Sequence, residues 1–485
     1  MSNDKDARPP EPEDRVVSTT HEVRIDGRRI AYQATTGLLV LREESEEDGK
    51  AQGHKAKAEV FVTAYTREDA GDPAERPITF AFNGGPGSSS VWLHLGVLGP
   101  RRVELNDDGS APRAPYRLVD NNWSLLDRTD LVFIDPVSTG YSRAVTGEKA
   151  GEYHGYKGDL ESVAEVIRLW LSRNGRWRSP KYLAGESYGT TRAAGLAAHL
   201  QQRHGIYLDG LMLLSSVLDF STVRFDPGND LAPLLYVPSY AATAWYHRRL
   251  DDDLQQKPIA EFLQEVEAFT YDRYAPALLR GSSLAADEAG EVAGLLARYI
   301  GVSHEFVLRN NLRISIDRFC KELLRDRRRT VGRLDSRFLG IDRDAGGGSF
   351  EHDPSYSEIQ APYTALLNDY VRDELGFESD LPYEIIKDLY RNWKYSDFEN
   401  RYVNTAEELR QAMATNPHLR VHVASGYFDL ATPYFATEYT FDHLGLEPEQ
   451  LGNVSKSYYE AGHMMYIEIE SLKKVKAELS AWLSG

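Results

Sequence analysis

A glycine-bracketed segment, Gly185-Glu186-Ser187-Tyr188-Gly189, constrains the fold of this chain more than any other feature. It fits the pattern G-x-S-x-G, in which a serine occupies a sharp turn between a strand and a helix. The flanks agree, because a short apolar run precedes the segment at 181–184 and a helical pattern follows at 190–200. The two glycines suit a turn with no room for side chains. The segment therefore predicts a serine nucleophile above a sheet, at the positive end of a helix.

Strand-like and helix-like segments alternate on both sides of this turn. Apolar runs at 78–82, 131–134 and 210–214 predict buried strands, and Asp159–Arg173 has apolar residues at helical spacing. Further strands are predicted at 419–424 and 454–459, and a closing helix at 468–483. This alternation predicts an α/β fold with a mostly parallel central sheet covered on both faces.

The same patterns predict how the chain is divided. Residues 1–18 are expected to form a disordered tail, and 19–218 the first part of the α/β core. The pattern at 219–395 turns helical and irregular, which indicates an inserted, mainly helical cap, and 396–485 completes the core. Within the first part, alternating stretches between 21 and 66 predict antiparallel strands, with the polar segment 43–53 as a loop.

Composition narrows the possible partners and locations. The net charge of −18 argues against nucleic acid, and the chain has no run of 18 apolar residues that would span a membrane. The start, Met1–Asp6, has no apolar segment of the secretory type, so a cytoplasmic location is expected. A single cysteine, Cys320, excludes an intrachain disulfide and is expected to be buried.

A serine becomes a nucleophile only when a histidine accepts its proton, and that histidine needs an acid to orient it. Asp429 follows the predicted strand 419–424, and His463 follows the predicted strand 454–459. Both therefore lie at the sheet edge where Ser187 is expected. The order serine, aspartate, histidine is typical of the α/β-hydrolase fold. The sequence thus predicts a catalytic triad of Ser187, Asp429 and His463.

A glycine-rich turn, Asn83–Ser90, follows the predicted strand 78–82. Acyl transfer requires backbone N–H groups that point at the developing oxyanion. We expect one donor from this turn, at Gly85, and the other from the N–H of Tyr188. A phosphate-binding loop would instead require a following G-K-[ST] pattern, which this turn does not have.

Four blocks of sequence together resemble the serine carboxypeptidases, the S10 peptidase family of the α/β-hydrolase fold. The resemblance covers the core, at about 75–220 and 400–470, and is weak in the cap. The blocks are Asn83–Gly87 with Leu98-Gly99-Pro100, Phe133–Pro136 with Thr139–Ser142, Gly185–Gly189, and Gly426–Asp429 with Gly462-His463.

This resemblance implies a peptidase that removes C-terminal residues from peptides without a metal or another cofactor. It also implies that Asn83, Gly84 and Glu186 bind the free carboxylate of the peptide. Glu186 can share a hydrogen bond with that carboxylate only if Glu186 is protonated.

The chain departs from the family pattern at three positions. Val97 stands where a second glutamate usually pairs with the first, and this change weakens the expectation of a raised pKa for Glu186. Ala81 stands where a tryptophan is usual, and Ser88 where a cysteine is usual. The absence of the family's cysteines fits a reducing compartment. In this respect the chain resembles prokaryotic branches of the family.

Two other functions remain compatible with the sequence. An esterase or acyltransferase could use the same triad, since Val97 makes the loss of carboxylate selection plausible. A non-catalytic protein could bind peptides through the aromatic cap. The cap residues Tyr236, Tyr240, Trp245 and Tyr246 could line an apolar pocket or could pack inside the cap.

Overall fold

The structure is a computed structural model that describes residues 11–484. The strands of this part of the chain are β1 Arg15–Ile25, β2 Arg28–Glu47, β3 Lys50–Arg67, β4 Ile78–Phe82, β5 Arg101–Val103, β6 Leu118–Asp120, β7 Asp130–Ile134, β8 Arg143–Ala144, β9 Lys181–Ser187, β10 Gly210–Ser216, β11 Thr330–Val331, β12 Leu339–Gly340, β13 Arg420–Gly426 and β14 Val454–Tyr459.

Helices connect the strands and form the cap. The α-helices are α1 Val91–Leu93, α2 Tyr156–Arg173, α3 Tyr188–His204, α4 Leu231–Leu235, α5 Val237–Tyr246, α6 Asp252–Gln255, α7 Ile259–Phe269, α8 Ala275–Arg280, α9 Ala286–Ile300, α10 His304–Arg309, α11 Ile316–Glu322, α12 Pro354–Asp369, α13 Ala406–Thr415, α14 Tyr434–Asp442, α15 Pro448–Leu451 and α16 Ile469–Leu483. A π-helical turn, His94–Leu98, continues α1.

The central sheet runs in the order β1-β2-β3-β7-β4-β9-β10-β13-β14, with β8 beside β3. From β7 to β14 all neighbouring strands are parallel. The first three strands are antiparallel, and β3 joins β7 in the antiparallel sense. Because the carboxyl ends of parallel strands meet at one edge, the turns after β4, β9, β13 and β14 lie at the same edge of the sheet.

Helices cover both faces of this sheet, whose side chains alternate between the faces. On one face, Phe80 and Leu183 pack with α2, α3 and α13. On the other face, Ala81 and Ala184 pack with α12 and α16. The predicted α/β fold, with a mostly parallel and doubly covered sheet, is confirmed.

Two predictions for the N-terminal strands are wrong. The segment 43–53 is not a loop, because β2 and β3 continue through it as an exposed hairpin. The turn is Asp48-Gly49, with φ values of +52° and +73°, and Asp-Gly is a typical hairpin turn. The predicted tail 1–18 is also too long, because Arg15–Ser18 pair with β2 through a β-branched stretch. Residues 1–10 lie outside the described residues.

The segment after β10 forms the cap, where helices α4 to α11 pack around an apolar cluster that also includes Phe428 and Leu430 from the loop after β13 and Tyr434 from α14. Tyr236 and Tyr240 are fully buried in this cluster, and Cys320 is buried with them. These two tyrosines therefore pack the cap and do not line an open pocket. The boundaries 219–395 and 396–485 stay a prediction. Among the helices of residues 11–484, none has the length and apolar character needed to cross a bilayer.

Candidate active site

The serine at the end of β9 has a backbone conformation that few residues other than glycine adopt. Ser187 has φ +59° and ψ −129°, and α3 begins at the next residue. A Cβ at Gly185 would lie 2.3 Å from the carbonyl oxygen of Gly189, so this turn closes only with glycine. Strain of this kind is typical of functional sites, because the surrounding structure has to maintain it. Ser187 thus lies on the sharp turn that the sequence predicts.

The glycine-rich turn after β4 packs directly against the Ser187 turn. A Cβ at Gly84 would lie 2.4 Å from the backbone nitrogen of Tyr188. Gly85 has φ +104°, and a Cβ there would lie 2.7 Å from the nitrogen of Gly87. The backbone of this turn therefore approaches the start of α3 as closely as glycine allows. The two segments expected to supply oxyanion donors lie side by side.

A buried arginine holds the two turns together. Arg192 of α3 donates to the carbonyl oxygen of Asn83 at 2.7 Å. It also donates to both carboxylate oxygens of Asp159 on α2, at 2.8 and 3.1 Å. Both side chains are almost completely buried. This pair could not be predicted from the sequence, because a charged residue within a helical pattern usually faces solvent.

The histidine and the aspartate meet, although three elements, α14, α15 and β14, separate them in the sequence. His463 Nδ1 donates to Asp429 Oδ2 at 2.7 Å. Thr432 donates its hydroxyl to the same oxygen at 2.7 Å, and the backbone N–H of Ala431 donates to Asp429 Oδ1 at 2.7 Å. These donors fix the carboxylate, and the carboxylate fixes the imidazole ring. Thr432 was not among the predicted site residues.

Burial lowers the pKa of His463, but the charge and the hydrogen bond of Asp429 outweigh it and raise that pKa above 6.5. Backbone contacts also anchor the histidine, whose N–H donates to the Leu334 carbonyl at 2.7 Å and whose carbonyl accepts from the Ser215 hydroxyl at 2.6 Å. Ser215 precedes Ser216, which pairs with Ser187 between β10 and β9. His463 is thus anchored one strand away from Ser187. Within residues 11–484, no hydrogen bond joins the Ser187 hydroxyl to the His463 ring.

Next to Ser187, a buried carboxyl group makes two polar contacts with neutral groups. Asn83 Nδ2 donates to Glu186 Oε1 at 2.9 Å, and the Tyr466 hydroxyl donates to Glu186 Oε2 at 2.5 Å. Burial raises the pKa of Glu186 from 4.5 to about 7. A second glutamate at Val97 is therefore not needed to raise this pKa. Tyr466 is a residue that the sequence reasoning missed, because only the folded chain brings it to Glu186.

The cap contributes hydrogen bonds to both halves of the site. Asp335 Oδ2 accepts the N–H of Gly462 at 3.1 Å, next to His463. On the other side, the Lys387 N–H donates to the Gly87 carbonyl at 2.9 Å, and the indole N–H of Trp393 donates to the Tyr188 hydroxyl at 3.0 Å. Residues 334–337 and 384–393 thus border the turns that carry the predicted site residues.

The sheet order and the position of Ser187 after β9 define an α/β-hydrolase fold. Comparison with known proteins identifies the family within this fold. The sequence model described as serine carboxypeptidase matches residues 50–477. The chain belongs to the serine carboxypeptidase family.

Individual relatives are distant. Serine carboxypeptidase-like 5 of Arabidopsis thaliana is 32% identical over 164 residues, which is 33% of this chain and 33% of the relative. Serine carboxypeptidase-like 13 of the same plant is 28% identical over 196 residues, which is 39% of this chain and 41% of the relative. The alignments therefore span less than half the length of these curated relatives.

Among solved structures, the chain is similar to Kex1Δp, a prohormone-processing carboxypeptidase from Saccharomyces cerevisiae. The TM-score is 0.55 at 16% identity, and the match covers 93% of this chain and 91% of that one. At this identity the likeness shows a shared fold.

Proposed function

We propose that this protein is a serine-type carboxypeptidase that removes C-terminal residues from peptides through an acyl-enzyme. Ser187 Oγ attacks the scissile carbonyl and transfers its proton to Nε2 of His463. Asp429 keeps the Nδ1 proton in place and stabilises the imidazolium. His463 then donates its proton to the leaving amine, which departs as the C-terminal residue. Water, activated by the same histidine, attacks the acyl carbon and releases Ser187.

The proposed oxyanion donors are the N–H groups of Gly85 and Tyr188. The close approach of the glycine-rich turn to the nitrogen of Tyr188 supports this assignment. Donors held on rigid backbone need no reorganisation when negative charge develops on the carbonyl oxygen. Arg192 acts as a positioning residue, since its hydrogen bonds join the Asn83 turn to α2 and α3.

The observation that carries the choice of a carboxypeptidase is the buried hydrogen bond between Asn83 and Glu186 beside Ser187. An amide and a protonated carboxyl group can each donate to the terminal carboxylate of a peptide. The N–H of Gly84 is the third proposed donor. A carboxylate bound there would present the last peptide bond of the substrate to Ser187.

The test compares an N-blocked dipeptide with the same dipeptide carrying a C-terminal amide. Below about pH 6, kcat/KM for the free acid should exceed that for the amide by roughly tenfold or more, because one hydrogen bond to a charged group contributes about 1.5–3 kcal/mol. Glu186→Leu should remove most of this preference, whereas Ser187→Ala should abolish cleavage of both substrates. Equal rates for acid and amide would refute carboxylate recognition.

A second candidate is an esterase or acyltransferase that uses the same triad. It is favoured by one feature of Glu186: within residues 11–484 no carboxyl group forms a hydrogen bond with it, and burial raises its pKa only to about 7. An ionised Glu186 repels a substrate carboxylate. Faster turnover of esters than of free-acid peptides at every pH would support this alternative.

A further inference from the structure

The space beside Glu186 is filled by a tyrosine ring that fits only because a glycine faces it. A Cβ at Gly96 would lie 2.4 Å from Cε2 of Tyr466 and 3.0 Å from the hydroxyl oxygen of Tyr363. Gly96 lies in the π-helical turn His94–Leu98. The glycine therefore lets the Tyr466 ring pack against this turn, with its hydroxyl on Glu186.

The polar contacts of Glu186 favour its ionised form. Burial raises the pKa of the Tyr466 hydroxyl well above 10, so this group stays protonated and can always donate. Asn83 Nδ2 also donates a hydrogen bond, to Glu186 Oε1. Burial of Glu186 acts in the opposite direction and favours the protonated form. The charge of Glu186 is thus set by desolvation, by the charges of His463 and Asp429, and by these two neutral donors.

The other titratable groups around Glu186 and His463 come from four separate segments. A positive charge on His463 favours the ionised form of Glu186, and the charge of Asp429 disfavours it. Tyr363 of α12 also faces Glu186, and burial raises the pKa of this tyrosine. Arg333 of the cap acts on the neighbouring His463. Tyr466→Phe removes only the hydroxyl that donates to Glu186 Oε2.

We propose that Tyr466 is a positioning residue that controls the proton on Glu186, so that the enzyme selects free C-terminal carboxylates below neutral pH and loses this selection above it. This inference rests on the proposed carboxypeptidase function. It assigns the pH limit of substrate selection to a tyrosine outside the triad, the oxyanion donors and the carboxylate-binding residues.

The test measures the ratio of kcat/KM for a free-acid dipeptide to that for its C-terminal amide, from about pH 5 to about pH 9. Proton transfer by His463 is common to both substrates and cancels in the ratio, which therefore follows the ionisation of Glu186 together with the effect of the His463 charge on it. In the wild type the ratio should fall as pH rises through about 7. Tyr466→Phe removes a donor to the ionised form of Glu186. The pH at which the ratio falls should therefore rise by about one to two units, since a hydrogen bond to a charged group contributes about 1.5–3 kcal/mol.

Tyr459→Phe is a matched control, because the Tyr459 hydroxyl also donates to a carboxylate, that of Glu478 on α16. This control should leave the fall at its wild-type pH. Gly96→Ala gives a second perturbation, since its Cβ would displace the Tyr466 ring. Like Tyr466→Phe, Gly96→Ala should raise the pH at which the ratio of free-acid to amide kcat/KM falls.

The outcomes separate the two proposals. No preference for the free acid at any pH in the wild type would overturn the proposed function itself. The role of Tyr466 would be overturned if the ratio fell at the same pH in Tyr466→Phe as in the wild type. It would also be overturned if Tyr466→Phe lowered the ratio by the same factor at every pH. An upward shift in Tyr466→Phe with none in Tyr459→Phe supports that role.

Discussion

At the scale of single residues, the proposed function depends on how Asp429 holds the ring of His463. We predict that Asp429→Asn lowers kcat by about 10³–10⁴-fold, because an amide can favour the wrong tautomer and cannot stabilise the imidazolium. The measurement is single-substrate kinetics at a pH where the wild type is most active, with folding checked by circular dichroism.

Thr432→Val provides a graded comparison for Asp429→Asn. It removes one donor to Asp429 Oδ2 and leaves the carboxylate in place. The expected loss is roughly tenfold, which corresponds to about 1.4 kcal/mol for one hydrogen bond. If a folded Asp429→Asn variant retained activity within tenfold of the wild type, Asp429 would not orient the catalytic histidine.

Glu186 also makes a prediction about stability. Burial raises its pKa from 4.5 to about 7, so between these values the native state holds a proton that the unfolded state has released. The stabilisation is complete below about pH 4.5 and is lost as pH rises through about 7. At pH 8 the buried charge therefore costs about 3 kcal/mol, at about 1.36 kcal/mol for each pKa unit.

Glu186→Gln removes this cost. The free energy of unfolding of the variant, relative to the wild type, should rise by about 3 kcal/mol from about pH 4 to about pH 8 in urea denaturation. Glu460→Gln alters an exposed glutamate and serves as the control, with no such rise expected. A difference for Glu186→Gln that is equal at both pH values would contradict the burial of an ionisable carboxyl group here.

At the scale of elements, the ion pair between Asp159 of α2 and Arg192 of α3 joins two helices beneath the site. Arg192→Met leaves a buried carboxylate without its partner and should destabilise the protein by about 3–5 kcal/mol. The double variant Arg192→Met/Asp159→Leu should recover much of this loss. Urea denaturation of the three proteins measures both effects.

The surface pair Arg410–Glu407, joined at 2.6 Å and about half exposed, is the matched control for the buried pair. Arg410→Met should cost less than about 1 kcal/mol, because solvent screens an exposed ion pair. Similar losses for Arg192→Met and Arg410→Met would mean that the buried pair does not support the site.

Elements whose signal lies in the local sequence could be predicted, whereas contacts between distant segments could not. The strands β4, β7, β9, β10, β13 and β14 are apolar runs or end at turn residues, so local sequence located them to within a few residues. The hairpin at 43–53 was missed because its exposed residues are polar, although Asp48-Gly49 was a usable signal. Tyr466 and Arg192 could not be assigned, because their contacts join segments that are distant in the chain.

At the scale of the whole molecule, the cap both separates the two halves of the core in the sequence and contacts the candidate site. Its segments at 334–337 and 384–393 form hydrogen bonds with the His463 loop and with the glycine-rich turn. The residues proposed for the triad, in contrast, lie in the turns at one edge of the central sheet. The site is therefore supported by both parts of the fold, and the chain order serine, aspartate, histidine follows from the strand order.

The proposed function requires that this fold activates Ser187 as a nucleophile. The most direct measurement is covalent labelling by a fluorophosphonate probe, read as the mass added to the intact protein and mapped to a peptide. The wild type should gain one adduct on Ser187, and Ser187→Ala should gain none. His463→Ala should react more slowly by about 10³-fold or more, since the hydroxyl loses its base. A wild-type protein that stays unlabelled, or a Ser187→Ala variant that is still labelled, would contradict the account.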